Sequence, residues 1–242
     1  MFSVLKDALF SVTLPKECGS CGGPVDKAAG SPACSDCWAS TKIFSGEEML
    51  CIKCGAFFDD DAAAQPISCP FCEDQKYDRA IACGVYKNAL AASVVSLKTT
   101  PKISNRLRSL IESAVVYREL SPFDLIIPIP LSAARRTERG FNQAEVIARI
   151  ISKISSVPVD AGSLRRRRHT AIHRVGMDRR ARELSVENAF EVTRPKLVKG
   201  CRALLVDDVL TSGSTASACA AVLKKTGAVR VEVFTLARAV ID

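Results

Sequence analysis

The sequence predicts an α/β domain, a mostly parallel sheet flanked by helices, preceded by a small cysteine-rich domain held by metal. Three observations carry this expectation. From residue 77 onward, apolar runs rich in branched residues alternate with segments of helical periodicity, as in chains built from βαβ units. Eight of the 11 cysteines fall in C-x-x-C pairs between residues 18 and 72. The run Leu204-Leu205-Val206 ends in two adjacent acids, Asp207 and Asp208. After Val209 and Leu210 come the small residues Thr211, Ser212, Gly213, Ser214 and Thr215, and then an alanine-rich helical segment.

The elements follow in order. Residues 80–86 read as a first strand, and residues 89–98 and 103–117 as helices separated by the breaker Pro101. Residues 124–130 form a buried strand that ends at prolines. Residues 143–154 carry apolar positions at 146, 147, 150, 151 and 154, one face of a helix. Residues 157–161 are a short strand candidate. Residues 202–209, 214–225 and 229–237 then read as strand, helix, strand, with Gly227 placed as a helix-ending glycine. Ligands of such sheets bind at the carboxyl ends of the strands.

The cysteine pairs are Cys18/Cys21, Cys34/Cys37, Cys51/Cys54 and Cys69/Cys72. Two tight C-x-x-C turns complete a tetrahedral four-thiolate site, so the spacing predicts two structural zinc ions. Glycines beside the ligands ease those turns. Pairing first with second and third with fourth closes the shortest loops, while an interleaved pairing stays open at this point. Redox chemistry would call for one such motif in a βαβ setting, which four pairs in a loop-rich segment do not provide. Cys83, Cys201 and Cys219 stand outside the pattern and are expected in the core.

Composition divides the chain at about residue 76, giving a cysteine-rich domain at 1–76 and an α/β domain at 77–242. Residues 1–83 carry 7 Lys/Arg against 12 Asp/Glu, and the remainder 27 against 14. The second part is thus suited to anionic ligands such as polyphosphates or nucleic acid, and the first part less so. No apolar run approaches the roughly 18 residues of a membrane span. Residues 1–14 lack a basic start and include Asp7, so they read as an amphipathic helix on the body and not as an export signal. With metal-type cysteine spacing, the expected compartment is the cytoplasm.

Residues 204–215 are the centre of the expected chemistry. Backbone N–H groups and hydroxyls converging at a helix start suit a phosphate. Acids just before that loop can take sugar hydroxyls or Mg2+. The pattern therefore predicts a site for a phosphorylated sugar. Two further segments are basic. Leu131, Ser132, Ala133, Arg135, Arg136 and Arg139 follow the strand ending at Pro130 and read as a phosphate-binding turn. Arg165, Arg166, Arg167, Arg168 and Arg174 open a stretch with 8 arginines in residues 165–182. That stretch reads as a surface loop that either closes over an anionic substrate or tracks a nucleic-acid backbone.

The segment 204–215 resembles the signature of type I phosphoribosyltransferases that binds phosphoribosyl pyrophosphate (PRPP). Taken with the four cysteine pairs, Arg139-Gly140-Phe141-Asn142-Gln143 and Asn188-Ala189-Phe190, the chain resembles the ComF family. That family joins an N-terminal zinc ribbon, often doubled, to a phosphoribosyltransferase-like domain and is associated with natural competence. The resemblance implies that Asp207 and Asp208 face the ribose hydroxyls or their Mg2+. It implies that Thr211, Ser212, Gly213, Ser214 and Thr215 hold the 5′-phosphate, and that Leu131, Ser132 and Ala133, with Arg135 nearby, form the pyrophosphate loop. It places residues 164–182 where the family has a flexible hood. There this chain has Thr170-Ala171-Ile172-His173, where many relatives have Thr-x-x-Gln. Single-stranded DNA, and competence proteins docking on the zinc ribbons, are the partners it suggests. Catalytic turnover with an unknown acceptor in nucleotide salvage is the alternative role.

Overall fold

The computed structural model describes residues 17–25, 30–57, 69–117, 120, 122–167 and 189–240. The expected N-terminal helix, the acidic run at 59–61, and Arg168, His169, His173, Arg174 and Asn188 lie outside these residues. In chain order the elements are α1 (Ser35–Ala39), a 3-10 turn (Pro70–Cys72), β1 (Arg79–Val85), α2 (Asn88–Leu97), α3 (Asn105–Tyr117) and β2 (Leu125–Pro128). There follow α4 (Ala133–Arg139), α5 (Gln143–Ser155), β3 (Leu164–Arg166), β4 (Phe190–Val192), α6 (Pro195–Val198), β5 (Arg202–Leu210), α7 (Ser214–Lys225) and β6 (Arg230–Arg238).

Four strands form a parallel sheet in the order β1-β6-β5-β2. Central strands covered on both faces are mostly apolar, as in Ala203–Val206 of β5, while β5 ends in the acids Asp207 and Asp208 and β6 carries the buried Glu232 and Thr235 among its apolar residues. Alternate residues divide between two cores. Leu204 and Val206 join Ile126, Ile147, Ile151 and Phe234 beneath α2, α3 and α5. Ala203 and Leu205 join Ile127, Val231, Val233 and the Ala218, Cys219 and Leu223 face of α7. Cys83, Cys201 and Cys219 are all buried, as expected of small core residues.

The cysteine-rich segment packs directly on this sheet. Cys18, Cys37 and Trp38 belong to the first core, and Cys51, Cys54, Cys69 and Cys72 to the second. Residues 42–44 also run antiparallel along the outer edge of β1. There Val85 N donates to Lys42 O (2.9 Å) and Phe44 N to Cys83 O (2.9 Å). The opposite edge, β2, is covered by residues 158–160 through Ile126 N to Pro158 O (3.0 Å) and Asp160 N to Ile126 O (2.9 Å). The strand expected at 157–161 is thus reduced to one parallel bridge, Ile126 with Val159.

Two further segments differ from expectation. Residues 133–139 form helix α4, started by Ser132, whose Oγ accepts Arg135 N (3.3 Å), and ended by Gly140 in the left-handed region (φ 73°). The basic loop begins as a strand: Leu164–Arg166 pairs antiparallel with Phe190–Val192. Buried Leu164 and Phe190 anchor that hairpin, which charge density in the sequence obscured.

Gly84 shows how closely the cysteine-rich segment approaches the sheet. A Cβ there would lie 2.5 Å from Lys42 O and 3.1 Å from Ile43 Cα, both backbone atoms that cannot step aside. Gly84→Ala is expected to destabilise the protein by about 1–3 kcal/mol, read as a lowered urea midpoint.

Candidate functional site

Strands β2 and β5 are neighbours, yet the chain leaves them in opposite directions. From β2 it passes through α4 and α5 to the bridge at Val159 outside β2; from β5 it passes through α7 to β6 on the other side. Such a switch point opens a crevice at the carboxyl ends of the two strands. A cavity of about 140 Å³ occupies it, lined by Lys98, Leu131, Ser132, Arg135, Arg139, Gln143, Arg166, Asp207, Asp208 and Thr215 among others.

The segment Arg139-Gly140-Phe141-Asn142-Gln143 builds one wall. Asn142 caps α5 by accepting Ala144 N (3.1 Å) on its side-chain oxygen, and its Nδ2 donates to Ile129 O (3.0 Å). The cap fixes the helix start against the end of β2 and sets Gln143 so that its Nε2 donates to Asp208 Oδ2 (3.1 Å). Asp207 Oδ1 accepts Asp208 N (2.9 Å). Burial, and next the charge of Asp208, push the Asp207 carboxyl up to about 7, while Lys98 draws it down. Among the described residues, two buried atoms of this wall have no hydrogen-bond partner: Arg139 Nη1 and Gln143 Oε1. Buried polar atoms are nearly always satisfied, so a donor and an acceptor left free beside a cavity point to a polar ligand there.

Of the hydroxyl-rich loop, Thr215 lines the cavity, and Thr211, Ser212 and Ser214 are exposed beside it. Gly213 has φ 78° and lies against the Tyr77 hydroxyl, which a Cβ would approach to 2.8 Å. Both constraints require glycine.

A larger cavity of about 770 Å³ adjoins the first and shares Pro130, Leu131 and Arg166 with it. It is lined by Ala133, Arg136, Arg165, Arg167, Glu145 and Glu191. Arg136 pairs with Glu145, Arg167 with Glu191 (3.2 Å), and the Arg166 guanidinium lies 5.4 Å from the Phe190 ring centre. Of the predicted site residues, Leu131, Ser132, Arg135, Arg166, Asp207, Asp208 and Thr215 meet at the smaller cavity, and Ala133, Arg165 and Arg167 at its neighbour. Lys98, at the end of α2, was missed: a lone lysine after an apolar helix gives no signal in sequence. Arg139, expected in the phosphate-binding turn, is at the cavity as well; Gln143 stood within a segment already singled out, but without a role.

The eight paired cysteines form two sequential clusters, Cys18/Cys21/Cys34/Cys37 and Cys51/Cys54/Cys69/Cys72. Within each, the sulfurs lie within 4.8 Å of one another. Cys51 to Cys72 is 3.5 Å, Cys54 to Cys69 3.4 Å and Cys21 to Cys34 3.7 Å. Tetrahedral thiolates at about 2.3 Å from zinc would stand about 3.8 Å apart, so the sets fit such an ion. Gly22 (φ 75°) and Gly55 (φ 63°) supply the turns. Burial opposes ionisation of Cys18, yet N–H groups of Cys21, Cys34 and Ser20 outweigh it and lower the thiol to about 6. Cys51 is likewise lowered to about 6, against burial, by the N–H groups of Cys54, Cys69 and Lys53.

No family model matches the chain. It is 29% identical over 236 residues to the DNA utilization protein YhgH of Escherichia coli strain K12, covering 94% of this chain and 99% of that protein. It is 28% identical over 228 residues to competence protein F of Haemophilus influenzae, covering 91% of each. The chain is a homologue of these DNA utilization and competence proteins. Against competence protein ComFC of Bacillus subtilis the identity is 32% over 119 residues, 47% of this chain and 44% of that one. Among solved structures, the allosteric regulatory enzyme of purine biosynthesis overlaps 53% of this chain and 25% of its own length, at 19% identity and a TM-score of 0.37. No described helix is long and apolar enough to cross a membrane.

The raised Asp207 has a measurable consequence. Between pH of about 3.9, where an unfolded aspartate titrates, and about 7, the folded protein holds a proton that the unfolded chain has released. Stability therefore falls as pH rises through that window. Asp207→Asn is expected to match wild type in thermal unfolding at pH 4 and to exceed it by about 1–4 kcal/mol at pH 8 without ligand. Equal stability at both pH values would show that Asp207 titrates normally.

Proposed function

We propose that the cavity at the switch point binds PRPP or a related phosphosugar together with Mg2+, and that the protein acts as a ComF-family member, using the site in handling imported single-stranded DNA. The observation that carries the first part is the unpartnered pair Arg139 Nη1 and Gln143 Oε1, set beside two carboxylates and three further cations. A sugar phosphate offers acceptors to Arg139, Lys98, Arg135 and Arg166, and hydroxyls to Gln143 and the acids. Asp207 and Asp208 suit Mg2+, which takes one or two carboxylates with phosphate oxygens and water. When bound, the ion would offset negative charge on the pyrophosphate. The loop Thr211, Ser212, Gly213, Ser214 and Thr215 would hold the 5′-phosphate at the start of α7. Zinc is the ion we assign to both cysteine clusters, where it supplies folding free energy of about 10–16 kcal/mol per site in model fingers.

The second part draws on the names of the homologues and on Arg165, Arg166 and Arg167. These line an open cavity continuous with the first, where a nucleic-acid backbone can lie. That same cavity favours one alternative, transfer of the pentose to an acceptor, because it leaves room next to the sugar site. Release of pyrophosphate from PRPP on addition of candidate amines reads that activity directly.

Calorimetry with PRPP and Mg2+ is expected to show binding by wild type and its loss, by at least about 100-fold, in Asp207→Ala. No binding by wild type would remove the phosphosugar reading. In titrations with single-stranded DNA, log K is expected to fall with log salt at a slope of about −0.7 per phosphate contact, and Arg165→Ala should make it shallower by about one contact. A flat salt response would discard the backbone-tracking role.

A further inference from the structure

Arg238 is 3% exposed at the end of β6. Its Nε donates to Cys54 O (3.1 Å), and its Nη2 lies 3.7 Å from Cys54 Sγ. On the other side Nη1 donates to Leu210 O (2.8 Å), to Thr211 O (2.5 Å) and to Ala239 O (3.2 Å). One guanidinium thus joins the second cysteine cluster to the first residues of the hydroxyl-rich loop. Among the described residues it forms no ion pair with a carboxylate. A buried guanidinium is costly unless an opposite charge compensates it. Four thiolates around a divalent ion carry a net charge of −2, so the loaded cluster is a counter-charge within reach.

Two more contacts cross the same boundary. Gln75, three residues after Cys72, donates from Nε2 to Ser212 O (3.3 Å), and Lys76 N donates to Ser217 Oγ (3.0 Å) on α7. Buried Tyr77 packs with the cluster cysteines, and its hydroxyl is in contact with Gly213. Among the described residues the first cluster shows no such link to the loop. Its neighbours are α2 and the edge of β1, through Asn88 Nδ2 to Ser40 O (3.0 Å) and Ala89 N to Thr41 Oγ1 (3.1 Å).

We propose that Arg238 is a positioning residue that couples metal in the second cysteine cluster to the conformation of loop 211–215, so that phosphosugar affinity depends on that cluster and not on the first. The affinity part rests on the phosphosugar reading above; the loop part does not. With the cluster loaded, Arg238 is held between sulfur and carbonyls, and Leu210 and Thr211 are fixed. Without the metal nothing holds the four sulfurs together, Cys54 is free to leave Arg238, and the guanidinium no longer anchors both sides.

The test uses the full zinc-loaded chain. Amide hydrogen exchange is followed in peptides spanning residues 207–218, and PRPP–Mg2+ affinity by calorimetry, in wild type, Cys72→Ser, Cys37→Ser, Arg238→Lys and the double variant Arg238→Lys/Cys72→Ser. Cys72→Ser and Arg238→Lys are each expected to speed exchange in those peptides, and to weaken PRPP, by about tenfold, a usual size for coupling between sites. Arg238→Lys is expected to keep two zinc ions by metal assay, and the double variant to be no worse than Cys72→Ser alone. That non-additivity is what independent structural damage would not give. Unchanged exchange in Cys72→Ser, an equal effect in Cys37→Ser, or full additivity would overturn the coupling. Should Arg238→Lys fail to fold, Cys72→Ser against Cys37→Ser decides alone. Wild type that never binds PRPP while Cys72→Ser still frees the loop would refute the phosphosugar reading and leave the coupling standing.

Discussion

Two neighbouring carboxylates at the carboxyl end of a strand buried on both faces are the constraint around which this protein is arranged. Burial and the charge of Asp208 both disfavour a charge on Asp207. The surrounding groups answer that penalty. Gln143 donates to Asp208, the Asp208 amide donates to Asp207, and Lys98 stands near Asp207. Each donor depends on a local device: the Asn142 cap aims Gln143, and the end of α2 places Lys98 at the crevice. The acids can sit there only because β2 and β5 send the chain in opposite directions and leave the strand ends open.

The same geometry explains why the cysteine clusters are not an appendage. Each contributes to one of the two cores that sandwich the sheet, the first under α2 and the second beside α7. A segment with few apolar residues thereby shares the burial of a larger domain, and metal held by the clusters would supply the local order that its own composition cannot. The two clusters differ in what they touch. One holds the sheet edge; the other holds the approach to the phosphate-type loop.

Much of this was legible in the sequence because the signals were local. The central strands could be read from apolar runs such as Ala203–Val206, since a parallel strand covered on both faces is apolar along most of its length. The cysteine pairs announced two sites through spacing alone, and Gly22 and Gly55 adopt the positive φ that such turns require. What stayed hidden was tertiary. Lys98 and Arg238 look like ordinary cations in sequence; only the packing of α2 brings Lys98 to Asp207, and only the closing of β6 onto the cysteine-rich segment gives Arg238 its partners. The hairpin of Leu164–Arg166 with Phe190–Val192 was masked by arginines, because alternation puts charge outward and hides the inward Leu164. Helix α4 was masked in turn by its polar composition, its boundaries set by Ser132 and Gly140 and not by any apolar face.

The antiparallel contact of residues 42–44 with β1 has a consequence for the behaviour of the chain in company. A bare outermost strand offers unpaired N–H and C=O groups to any similar strand. Here that row is occupied by the segment that follows the first cluster and α1, with Gly84 permitting the close fit. Metal starvation would therefore do more than loosen a small knot of cysteines. By freeing that segment it would bare the outer row of β1 N–H and C=O groups to pairing with any strand that meets it.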